Sequence, residues 1–207
     1  MKTSPYTRRV VKATRAVALG IALFALIAPA YALNIAGVQY QASTQVASRT
    51  LLLNGAGVRQ QDTSGLYTAG LYLERKAATQ QDVVSGDGAK QLRLVMLRDI
   101  SAKKLSELMT QRLIANATDE ALAPLISEMF NVGLMLSEQG RLLMGDTFQI
   151  DNDPVGGTTI TIRGSGRGMP VSKTFAHPDL FKVMMGIWLG ERPADTGLKN
   201  ALLGQPL

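Results

Sequence analysis

No cysteine occurs among the 207 residues, and histidine occurs once, as His177. The first absence excludes disulfides and thiolate chemistry, so stability in any compartment has to come from a packed core. The second leaves no His/Cys cluster for zinc or copper, and no metal or other cofactor is expected. Two further things are missing: an apolar run of the roughly 20 residues that a membrane-crossing helix needs, and any sizeable surplus of basic charge beyond the start of the chain.

The start of the chain is different. Lys2, Arg8, Arg9, Lys12 and Arg15 form a basic stretch without an acidic residue, followed by the apolar run Ala16 to Ile27 and the ending Pro29-Ala30-Tyr31-Ala32. A positive segment, about a dozen apolar residues and an A-x-A site are the parts of a secretory signal peptide. Cleavage after Ala32 is expected, which makes the mature protein periplasmic or secreted and leaves residues 33–207 as one domain. Thr7-Arg8-Arg9-Val10-Val11-Lys12 also loosely resembles a twin-arginine export signal. Removing residues 1–32 takes the formal net charge from +6 to +1, because all five of those basic residues go with them. Nucleic-acid binding, which needs a basic stripe on the folded domain, is therefore not expected, and contact with a membrane is expected only during export.

With 46% apolar and 18% charged residues the remainder has a globular composition, long enough for one real core. From Leu33 to Leu73 the pattern is that of several strands joined by turns. Asn54-Gly55-Ala56-Gly57-Val58-Arg59 interrupts an apolar stretch and predicts a bend or bulge within a strand that then resumes. The next strand, Leu66 to Leu73, carries Tyr67 and Tyr72 at positions of opposite parity, hence on opposite faces of an ideal strand. A short helix is expected over 80–87 and a strand over Gln91–Arg98. Ser101 is placed to cap a helix over Lys103–Ala115, and Thr118 to cap a second one that runs to Gly133. Period two returns in three strands around 147–151, 158–162 and 171–175. The chain closes with helices over Leu180–Leu189 and around 196–203, ended by Gly190 and Gly204. The expected class is α+β with a mainly antiparallel sheet.

Few motifs carry chemistry. Gly55-Ala56-Gly57 and Gly164-Ser165-Gly166-Arg167-Gly168 lack both the P-loop lysine and the strand-to-helix setting of a phosphate cradle, and read as turns. His177, directly before Pro178-Asp179, belongs to a helix start rather than a triad, and no G-x-S-x-G elbow accompanies it. Asp151 and Asp153 beside Gly156-Gly157 do not have the spacing of a calcium loop. Met184, Met185, Ile187 and Trp188 read as core. Arg59 and Arg98 stand out as cations set in otherwise apolar strand surroundings. Facing inward, a guanidinium needs a carboxylate or several acceptors; facing outward it is ordinary, and alternation alone permits both.

Leu53-Asn54-Gly55-Ala56-Gly57-Val58-Arg59, followed by Tyr67-Thr68-Ala69-Gly70-Leu71-Tyr72-Leu73-Glu74, resembles the opening strands of the chalcone isomerase family. Ile187-Trp188-Leu189-Gly190, Pro193 and Leu198 to Gly204 are similar to the C-terminal helices of its bacterial, exported chalcone isomerase-like branch. The resemblance spans roughly Val38 to Gly204. It implies an open-faced β-sandwich, a large antiparallel sheet with a helical layer and a cleft between them. In active members the cleft cyclises chalcones with the help of an arginine, a tyrosine and a lysine; inactive relatives are implied to bind fatty acids there. Arg59 falls on the family's strand arginine. The strand threonine falls at Tyr67 or, one residue on, at Thr68. The helix over 101–115 holds no tyrosine, and Lys103 and Lys104 are out of register, so no catalytic residue is assigned.

The resemblance therefore implies a non-catalytic protein whose partner is a small apolar or amphipathic ligand, a fatty-acid-like or other apolar carboxylate. Arg59 is its anchor, with Tyr67, Thr68, Tyr72 and Arg98 as the other candidate contacts. The alternatives are an intramolecular lyase or isomerase acting on another substrate, and an interaction protein whose cleft is filled by its own side chains.

Overall fold

The computed structural model describes residues 32–165 and 167–205; the expected export segment lies outside the described residues. Seven strands form one antiparallel sheet. Its members in chain order are β3 (Ser43–Val46), β4 (Arg49–Gln61), β5 (Ser64–Leu73), β6 (Lys90–Met96), β9 (Thr147–Asp153), β10 (Gly157–Gly164) and β11 (Arg167–Phe175). Across the sheet the order is β11-β10-β9-β6-β5-β4-β3. A small hairpin, β1 (Leu33–Ile35) with β2 (Val38–Tyr40), and a two-residue pair, β7 (Ile100–Ser101) with β8 (Arg141–Leu142), stand outside it.

The helices are α1 (Gln80–Ser85), α2 (Ala102–Asn116), α3 (Asp119–Leu122), α4 (Ile126–Glu138), α5 (Leu180–Leu189) and α6 (Thr196–Leu202). Ser101 caps α2, accepting from the Lys104 N–H at 3.2 Å, and Thr118 caps α3. The single helix expected between Thr118 and Gly133 is instead two. Pro124 falls in a 3₁₀ turn, Ala123–Leu125, that separates α3 from α4, and α4 runs through Gly133 to Glu138. The strand expected to end at Arg98 ends at Met96.

Both faces of the sheet are apolar near its centre, and each is covered differently. On one face Tyr67, Ala69, Leu71, Leu94, Phe148 and Ile162 meet the helical layer, in which nearly all of α5 is buried. On the other face Tyr40 from the small hairpin packs with Leu51, Ala56, Tyr72 and Val95. Gly70 is flat here, and its missing side chain is where the Tyr40 ring lies. The Tyr40 hydroxyl shares a buried hydrogen bond with Thr68 Oγ1 at 2.8 Å.

Two bulges set the registers that matter. Leu53 pairs with Tyr72 but Gly55 pairs with Leu71, so Asn54 is an extra residue in β4. Since the side-chain period of a strand is two, one inserted residue moves every later side chain to the opposite face. Leu51 and Leu53 therefore lie on the Tyr40 face, while Gly55, Gly57 and Arg59 point to the helices. Asn54 is itself buried; its amide donates to the carbonyls of Ala77 (2.9 Å) and Leu202 (2.8 Å) and its oxygen accepts from the Ala77 N–H (2.8 Å). The glycines let α6 lie directly on β4: a Cβ on Gly57 would come within 2.7 Å of the Ala201 side chain, and one on Gly55 would meet the Ala201 carbonyl. The second bulge, opposite Arg59 and Gln60, adds Leu66 to β5, so that Leu66 and Tyr67 are both buried.

Candidate functional site

The Asn54 bulge turns Arg59 inward, and the pairing of β4 with β5 places it directly opposite Tyr67 on the same face. The guanidinium carbon stands 5.6 Å from the centre of the Tyr67 ring. Arg59 is 5% exposed and Tyr67 is fully buried. From α5 above, the indole Nε1 of Trp188 donates to the Tyr67 hydroxyl at 3.0 Å. Asp195, which caps α6 by accepting from Leu198 N–H, also accepts from the Gln60 N–H at 3.0 Å and so ties the start of α6 to the strand end beside Arg59.

What sets this group apart is what it leaves unmade. Arg59 Nε and Nη1 are buried and find no hydrogen-bond acceptor among the described residues. A buried, unsatisfied donor costs about 1–3 kcal/mol, and more when it is charged. Burial, helped slightly by the Asp195 carboxylate, pushes the Tyr67 phenol above its ordinary pKa, against the pull of the Arg59 charge and of hydrogen bonds from Trp188 and Arg59. The hydroxyl is thus protonated, with its oxygen taken by Trp188 and its proton without an acceptor among the described residues. Two guanidinium donors without acceptors, Nε and Nη1, beside a phenolic O–H make an arrangement complementary to a carboxylate.

The other residues singled out from sequence are not in this group. Thr68 is fully buried on the opposite face, bonded to Tyr40, and Tyr72 is on that face too. Only the parity of the strand separates them from Tyr67, and that separation is what alternation predicts. Arg98 is exposed in the bend after β6, so it is not an inward cation of a strand. Lys103 and Lys104 are exposed on α2, where Lys103 makes a loose pair with Glu107 at 3.9 Å. His177 lies at the start of α5, its Nδ1 accepting from Asp179 N–H at 3.3 Å. Trp188 is the residue that sequence reading missed as part of a site. It is core, as expected, but a buried indole N–H usually finds an acceptor, and that tendency was the available signal.

A wide surface depression, about 830 Å³, lies elsewhere, between the end of β5 and the turn from α1 to β6. It is lined by charged groups, such as Arg49 paired with Glu74 at 2.9 Å, with Leu73, Ala77, Val83 and Ala89 among them, and neither Arg59 nor Tyr67 reaches it. A second feature, a narrow apolar crevice of about 30 Å³, lies between α2, α4 and α5.

A family model described as chalcone isomerase-like matches residues 32–204. Among solved structures, the crystal structure of a fatty-acid binding protein from Arabidopsis thaliana superposes with a TM-score of 0.62 at 14% sequence identity, covering 84% of this chain and 96% of that one. At that identity the likeness concerns the fold. No curated protein matches the chain in sequence.

Proposed function

From the premise that this chain belongs to the chalcone isomerase-like family, whose model spans nearly all of its described residues, we propose that it is a non-catalytic binding protein for a fatty-acid-like carboxylate. The observation that carries this reading is the pair of unpartnered donors on buried Arg59, set beside the unshared proton of Tyr67. A carboxylate accepts two or more hydrogen bonds and brings the negative charge that a desolvated guanidinium lacks. The apolar layer around it, with Trp188 above and Leu66 alongside, suits a hydrocarbon chain. The structural neighbour named for fatty-acid binding adds support at the level of the shared fold. In the same proposal the protein acts after export, with the segment ending at Ala32 removed.

Calorimetric titration of the mature protein with laurate tests it. The wild type is expected to bind one equivalent. Arg59→Met is expected to weaken binding at least about tenfold to a hundredfold, the worth of hydrogen bonds to a charged group. Tyr67→Phe, which removes only the phenolic donor, is expected to cost about fivefold to tenfold. Laurate affinity unchanged in Arg59→Met would sink the anchor.

A second reading, an interaction protein with a self-filled cleft, is favoured by one observation: Arg59, Tyr67 and Trp188 are closed over by α5 and α6. It leaves the unpartnered guanidinium without a purpose, which is why it ranks second. Turnover of chalcone-like enones would instead establish the isomerase alternative.

A further inference from the structure

The outward side of α4 carries Ile126, Phe130 and Leu134, all exposed, Phe130 by 71%. Residues four apart lie on one side of a helix, so these three form a single apolar ridge. Beside the ridge is the crevice between the helices, whose walls include Thr110 and Leu113 of α2 and Met129 and Gly133 of α4. It is open at Gly133: a Cβ built there would meet nothing within 4 Å, and the φ of this glycine is not in the left-handed region, so no turn demands it. On the α2 side, exposed Ile114 stands one turn beyond Thr110. A ridge and a notch thus adjoin on one surface, and Met109, Met129 and Met184 in the walls of the notch are unbranched side chains that adjust readily to a guest.

The charges around this surface divide by helix. The stretch 119–138, which forms α3 and α4, holds Asp119, Glu120, Glu128 and Glu138 and neither lysine nor arginine. α2 holds Lys103, Lys104 and Arg112 against Glu107 alone. The acidic set would repel an anionic lipid surface. A second copy of this chain, turned about a two-fold axis, would lay its basic α2 against the acidic side and receive the same contact in return. Ile114, Ile126, Phe130 and Leu134 offer on the order of 500 Å² of apolar surface per copy before their flanks are added, close to the roughly 600 Å² per partner at which specific interfaces begin.

We propose that this surface joins two copies of the protein, the ring edge of Phe130 in each set against the Gly133 notch of the other. Knob and notch are on one helix, which makes the contact self-complementary and closes it at two copies. The notch, about 30 Å³, admits the edge of a ring and not a whole side chain. Glycine, a poor helix former in the middle of α4, is accounted for at 133 by the approach of the partner's ring. Arg59 takes no part, so the pairing stands or falls apart from the carboxylate reading.

Sedimentation velocity of the protein purified from its own host, over about 1–100 μM, tests it. The wild type is expected to pass from monomer to dimer within that range. Phe130→Asp is expected to weaken association at least about hundredfold, because each dimer loses two buried rings, and so to stay monomeric throughout. Phe130 is exposed, so this variant keeps its fold. Gly133→Leu, which fills the notch, is expected to weaken association about tenfold, and Val155→Asp, in the turn between β9 and β10, to leave it unchanged. A wild type that is monomeric at every concentration would overturn the proposal, as would a Phe130→Asp variant that associates like the wild type, or species larger than the dimer. Flotation of a monomeric wild type with phosphatidylcholine vesicles, lost in Phe130→Asp, would give the ridge to a bilayer instead.

Discussion

Arg59 is a cost in the unliganded protein. Its guanidinium is out of water with two N–H groups unmet, and replacing a buried ionic group by a well-packed apolar one of similar volume is often stabilising, by about 1–4 kcal/mol. Arg59→Met is therefore expected to raise the stability of the free protein by about 1–3 kcal/mol while it weakens carboxylate binding. Urea unfolding without and with laurate measures both. A less stable Arg59→Met would mean that the arginine is a structural group with partners of its own.

A second prediction at this scale concerns Tyr40. Burial, opposed by the Thr68 hydrogen bond and the charge of Arg93, pushes its phenol up to about 12. A phenol whose pKa is raised by folding contributes stability that is complete below its unfolded value near 10 and is lost as pH climbs toward the folded value. Unfolding free energy should thus fall between pH 10 and 12, by up to about 2–3 kcal/mol from this group, with buried Tyr67 adding in the same direction. Tyr40→Phe should show a shallower fall in the same urea series; an identical pH slope would mean that Tyr40 ionises without hindrance.

At the scale of elements, the site exists because of one inserted residue. Asn54 reverses the parity of β4, which puts Arg59 under the helices, and its side chain then fastens α6 and the segment after β5 through Leu202 and Ala77. Asn54→Ala leaves buried backbone groups without partners. It is expected to destabilise by about 2 kcal/mol or more, and, by loosening α6 over β4, to open amide exchange in Thr196–Leu202 ahead of the sheet. Equal protection of that helix in mutant and wild type would show that the glycine contacts alone hold it.

Much of this scale was legible in advance. The strand order of polar and apolar residues, the Ser101 and Thr118 caps, and the α5 and α6 boundaries follow from period and capping, which are local. The interruption at Asn54 was readable as a bulge; which way it would aim Arg59 was not, because the face of a strand is fixed by what it packs against. The same limit explains Arg98. Two residues decide whether it ends a strand facing inward or a bend facing water, and boundaries of that kind depend on tertiary contacts. Pro124 as the break between α3 and α4 was present in the sequence and is read easily once the turn is seen. Trp188 reaching Tyr67 joins residues far apart in the chain, which no local pattern encodes.

At the scale of the whole molecule, the sheet divides two environments. One face is closed by the small hairpin and Tyr40, and the other by the helical layer that holds Arg59, Tyr67 and the crevice at Gly133. The unpaired donors of Arg59 are on the helical side, so a single carboxylate bound there would answer them. The measurement that tests this account most directly is native mass spectrometry of the mature protein purified from its own host, beside Arg59→Met prepared the same way, with extraction and identification of whatever comes with it. The account predicts a one-to-one adduct with the mass of a fatty acid or similar apolar carboxylate on the wild type and none on Arg59→Met. An identical adduct on both proteins, or a wild type that carries nothing and takes up no added carboxylate, would contradict it.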